Sequence, residues 1–161
     1  MNNINTQLDL LINVTLKKSL YLKDILAYTK EQTDLLEQEE FDLNAFNRFM
    51  EKKEVLINQV VEIDDGFQSI YRKVRSVIEA HPELYKEKIQ ALKQSIITIG
   101  DLSVTITVQE ERNKMSFMSK SREEKSKVKE FRQSKKTVAN YYSNMNKQNN
   151  SNTPHFFDSK K

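Results

Sequence analysis

Cysteine and tryptophan are absent from the 161 residues, and glycine and proline occur only twice each. Without cysteine there is no disulfide framework and no zinc ribbon. So few turn-forming residues exclude the many tight turns of a β-sandwich or an α/β fold. No apolar run approaches the ~20 residues that span a bilayer. The start, Met1-Asn2-Asn3-Ile4-Asn5, lacks the basic opening of a signal peptide. These absences give the expectation of a cytoplasmic, all-α, elongated chain.

What is present is charge and helical periodicity. Charged residues make up 30% of the chain, and mean hydropathy is −0.71. The charge is divided. Residues 1–108 hold 13 Lys/Arg against 17 Asp/Glu, net −4, and residues 109–161 hold 13 against 6, net +7. A basic segment on an acidic body suits nucleic acid, an anionic surface, an acidic partner or solubility alone.

A first helix is expected over 6–38, capped by Asn5 or Thr6, with an apolar face that includes Leu8, Leu11, Leu16, Leu20, Leu22, Ile25 and Leu36. Gln38–Asp42 reads as a connection, with Asp42 the next N-cap. A second helix, about 43–79, carries Phe46, Phe49, Lys53, Leu56, Val60, Ile63, Phe67, Ile70, Val74 and Val77 at alternating spacings of three and four. Nine of these ten are apolar, which makes a heptad seam suited to a long antiparallel partner. Such a helix spans roughly 50 Å. His81-Pro82 ends it, and Pro82 suits the first position of a third helix. Tyr85, Ile89, Leu92, Ile96, Ile99, Leu102/Ser103 and Ile106 continue the spacing, so the β-branched stretch Ile96–Val108 reads as helix.

The composition changes after Val108. Ser103 and Asn113 interrupt the apolar seam, and Met115, Phe117 and Met118 form an island. Ser119–Lys127 has no apolar residue, and then Val128, Phe131, Val138 and Tyr142 give a thin stripe at helical spacing. The reading is a helical coiled-coil body over 1–108, an amphipathic basic helix over 109–143, and a disordered tail over 144–161. Within that tail Phe156 and Phe157 form an aromatic pair that solubility does not explain.

Catalytic chemistry finds no support. His81 suits a helix cap, and His155 has no neighbour to orient it. There is no Glu-x-x-His pair for a di-iron site and no glycine-rich phosphate loop. Asp64 and Asp65 are adjacent and point to different sides of a helix. No enzyme, cofactor, metal or small-molecule substrate is expected. The basic segment Lys114–Lys136, with Phe117 and Phe131 interleaved, leaves nucleic-acid binding as an alternative. Glu123, Glu124 and Glu130 break that face, and no base-reading motif is present. A structural dimeric coiled coil built on the 46–77 seam is the other alternative. Binding of a partner helix uses the most of what the sequence has: long seams, an adaptable Met/Phe island and a loosely specified amphipathic helix.

The C-terminal third carries a resemblance. Asp101-Leu102-Ser103-Val104 with Glu110-Glu111-Arg112-Asn113-Lys114, then Ser134–Met145, then Pro154-His155-Phe156-Phe157-Asp158-Ser159-Lys160-Lys161, resemble the matching parts of clostridial flagellar export chaperones of the FlgN type. The related FliT chaperones share the outline. The resemblance implies three long helices and a cytoplasmic, non-enzymatic chaperone. It would hold hook-associated proteins by their helical ends and deliver them to the type III export gate. It also implies client binding by the C-terminal helix, here Met115, Phe117, Met118, Val128, Phe131 and Val138. Docking on the gate would fall to Tyr141 or Tyr142.

Overall fold

The structure is a computed structural model and describes residues 2–123 and 136–145. Three long helices dominate: α1 (Asn2–Glu37), α2 (Leu43–Ala80) and α3 (Lys86–Glu123). A short fourth helix, α4, covers 136–145. No strand occurs among the described residues. The chain is therefore all-α. The three long helices expected from the sequence are present, and among the described residues a short fourth joins them.

The breaks follow local chemistry. Asp42 takes an extended conformation and its carboxylate accepts the Ala45 N–H at 3.0 Å, which starts α2. At the other end the His81 N–H donates to the Val77 carbonyl and closes α2. Pro82 does not open α3. Leu84 N–H first donates back to His81, forming a turn over 82–85, and Ile89 N–H to Tyr85 carbonyl then begins the helix. The β-branched stretch is helical. Thr98, Thr105 and Thr107 donate their hydroxyls to the carbonyls four residues earlier, which satisfies them within the helix.

α3 also runs on to Glu123, crossing Val108 without interruption. Residues beyond it, Glu110, Asn113 and Phe117, are buried in the same body. The remainder of the expected 109–143 helix and of the 144–161 tail lies largely outside the described residues.

α1 packs against both α2 and α3. The contacts fix directions. Lys88 meets Asn5 at one end of the α1–α3 pair and Lys120 meets Gln38 at the other, separated by 83 and 82 residues, so α1 and α3 run parallel. Lys18 with Asp64 and Gln32 with the Phe46 carbonyl place α2 antiparallel to α1.

Each long helix presents a heptad seam. On α1 the buried positions are Leu8, Leu11, Thr15, Lys18, Leu22, Ile25, Thr29, Gln32 and Leu36. Leu16 and Leu20, expected on this face, are exposed. On α2 the buried residues are Phe46, Met50, Lys53, Ile57, Val60, Phe67, Tyr71, Val74 and Ile78. Four of the ten expected seam positions are therefore displaced by one residue. Two apolar clusters result. One gathers Leu36, Phe41, Phe46, Met50 and Phe117 with Val138, Tyr141, Tyr142 and Met145 of α4. The other gathers Leu8, Leu11, Phe67, Tyr71, Val74, Tyr85 and Leu92.

Candidate functional site

Two features stand out where the helices meet. The first is a buried polar cluster built from all four helices. Lys53 of α2 and Glu110 of α3 sit on seam positions and pair at 2.8 Å, both almost fully buried. The Thr29 hydroxyl donates to the Ile25 carbonyl at 2.7 Å and accepts from Lys53 at 3.3 Å. Tyr141 of α4 donates its hydroxyl to the same Glu110 oxygen, and its ring lies 4.5 Å from Lys53 Nζ. One turn along, Asn113 donates to the Thr29 carbonyl at 3.0 Å and accepts from Thr33 at 2.7 Å, while Gln109 donates to Thr33 at 2.9 Å.

Burial governs the acid–base behaviour of this cluster. It pulls the Lys53 ammonium below its ordinary value, against the attraction of Glu110. It raises the Tyr141 phenol well above its ordinary value, and the Glu110 charge adds to that rise. Tyr142 is raised by burial first and by Glu110 next. Its hydroxyl and Glu110 Oε1 nevertheless make no hydrogen bond of acceptable geometry. A charge pair so enclosed adds little net stability, but it penalises any register that separates its members. Its chemistry is positional: it locks α4 to one level of the bundle.

The second feature is a cavity of about 470 Å³ between α1, α2 and α3, at the junction of the two apolar clusters. Its walls are mostly aliphatic, among them Leu22, Ile57, Val60, Ile99 and Ile106, and Met145 of α4 joins the lining. Lys18 and Asp64 line it and pair at 2.6 Å. Burial raises the Asp64 carboxyl despite the attraction of Lys18. The volume and apolar lining fall in the range of ligand-binding clefts, ~300–1,000 Å³.

The structure scatters the residues expected to bind a client. Met115 is 61% exposed and Met118 is 37% exposed, and their spacing of three places them side by side on one face of α3. Phe117 points elsewhere. It is 2% exposed and stacks on Phe46 at 5.2 Å. Val138 is a core residue, and Tyr141 and Tyr142, expected to dock on the gate, are buried. As they stand, these four side chains offer no surface to a partner, because the three-helix groove satisfies their apolar area first. Val128 and Phe131 lie outside the described residues. The cavity and the Lys53–Glu110–Tyr141 cluster were not anticipated. The available signal was opposite charge, Lys53 and Glu110, at seam positions of two helices.

Among the described residues no three His, Asp or Glu side chains converge as metal ligands. His81 is the exposed C-cap of α2. No described helix is long and apolar enough to cross a membrane. In comparisons with protein-family models, curated proteins and solved structures, nothing matches the chain.

Proposed function

We propose that this chain is a cytoplasmic export chaperone of the FlgN type. It holds hook-associated flagellar proteins unassembled through their helical ends and delivers them to the type III export gate. One observation carries the reading beyond the resemblance of residues 101–161. The groove bounded by α2 and α3 already accepts one short amphipathic helix, α4, and continues past Met145 as an open apolar cavity. A groove that seats one apolar helical face suits another, with anchors at helical spacing. The exposed pair Met115 and Met118 supplies adaptable contact outside the cavity.

The test is co-purification of the full chain with each hook-associated protein from the same cell. The expected result is a stable complex with one of them. Failure to recover any of them at micromolar concentration overturns the reading. Replacing Met115 and Met118 together by serine is expected to weaken the complex without altering helix content.

A further inference from the structure

The position of α4 has a geometric consequence for the residues that follow it. Tyr141 stands level with Lys53 of α2 and Glu110 of α3. Met145, one turn later, shares the cavity wall with Ile57 and Ile106, one turn on along α2 and one turn back along α3. α4 therefore runs alongside α2 in the same direction and brings the chain to the cavity wall at Met145. Sixteen residues follow Met145. They include no Leu, Ile, Val or Met, and their aromatic residues are Phe156 and Phe157 alone. The cavity extends from Ile57 to Phe67 along α2. That is roughly 15 Å at the helical rise. Phe156 lies eleven residues beyond Met145. Eleven residues reach roughly 16 Å as helix and at most about 36 Å extended, so the pair can arrive anywhere in the cavity.

We propose that Phe156 and Phe157 of this same chain occupy the cavity between α1, α2 and α3. The chemistry matches on both sides: an aliphatic cleft, and an aromatic pair in the polar segment that follows Met145 at the cleft wall. Tethering raises the local concentration of the pair to the order of millimolar, so even a weak contact is filled. A soluble chain gains from covering this surface, and an incoming helix has only two rings to displace. The inference does not depend on which partner, if any, the chain binds.

The absence of tryptophan makes the test direct. Phe157→Trp, in the otherwise intact chain, introduces a single tryptophan. Its emission is expected to be blue-shifted from that of free tryptophan amide and shielded from acrylamide quenching. Gly100 lines the cavity, and a Cβ there meets nothing within 4 Å. Gly100→Leu therefore adds a bulky side chain at the cavity wall without a clash at Cβ while replacing a poor helix former by a good one. Combined with Phe157→Trp, it is expected to move the emission to the solvent position and restore quenching. Ser103→Leu, on the same wall, is the second blocking variant, and circular dichroism confirms that each variant folds. Solvent-like emission from both Phe157→Trp and Phe156→Trp overturns the proposal. So does a blue shift that neither blocking variant moves. A blue shift that fades on dilution assigns the cavity to a second copy's tail and overturns docking within one chain.

Discussion

Lys53 and Glu110 show how much depends on whether a buried charge keeps its partner. Each is fully enclosed, and Tyr141 completes the hydrogen bonding around Glu110 Oε2. Lys53→Met alone strands a carboxylate in the core, so a loss of about 3–5 kcal/mol is expected in urea unfolding. The triple change Lys53→Met, Glu110→Leu and Tyr141→Phe removes every member at once. It is expected to recover most of that loss, since well-packed apolar replacements of a buried pair are often neutral. If the triple variant is as unstable as Lys53→Met, the pair itself is a major source of stability. The tyrosines give a second readout. Burial pushes the Tyr71 phenol up to about 12, and Tyr141 and Tyr142 are also raised. In the unfolded chain these phenols ionise near their ordinary value of about 10. Between that pH and the raised folded values, the native state holds more protons than the unfolded state. Stability must therefore fall as pH rises through this window. A pH series of urea unfolding is expected to show a decline starting near pH 10 that is shallower in Tyr141→Phe. A flat profile to pH 12 would contradict the burial of all three.

At the scale of the helices, the sequence was legible where apolar residues stood alone and ambiguous where they stood in pairs. On α2 the positions Phe46, Lys53, Val60, Phe67 and Val74 were placed correctly on the seam. Their companions were not, because Phe49/Met50, Leu56/Ile57, Ile70/Tyr71 and Val77/Ile78 are adjacent apolar pairs. Either member satisfies the period. Packing buries the second of each pair and leaves the first half-covered. On α1 the opposite problem arose. Thr15, Lys18, Thr29 and Gln32 complete the heptad, but their polarity hid them, while Leu16 and Leu20 drew attention to a face that is exposed. On α3 the polar residues after Val108 hid the continuing seam for the same reason. Glu110 and Asn113 hold the period that Ile99 and Ile106 began, and only their partners on α1 and α2 explain a polar residue there. A fragment ending at Val108 therefore loses Glu110, Asn113 and Phe117 from the core and leaves Lys53 buried without its carboxylate. It is expected to show weak, non-cooperative thermal unfolding by circular dichroism. A sharp transition like that of the full chain would restore 1–108 as an independent body.

On the scale of the whole molecule, two apolar clusters are separated by a cavity lined by α1, α2 and α3. α4 packs at the level of Lys53 and Glu110, and beyond its Met145 the seams of α1, α2 and α3 border the cavity. This is the part of the candidate site that no reading of one helix could reveal, since the cavity exists only once three seams are set against a short fourth helix. It also sets stability against function. Gly100→Leu adds a good helix former worth about 1 kcal/mol over glycine and buries new apolar area. The variant is expected to unfold at a higher urea concentration than the parent chain. If the cavity seats the client helix, the same variant must capture less hook-associated protein, because the space is already taken. Both quantities are measured on one preparation, by urea titration and by co-purification. Higher stability with reduced capture places the client in the cavity. Higher stability with undiminished capture moves the client to another face, and the exposed Met115–Met118 pair on α3 becomes the surface to mutate next.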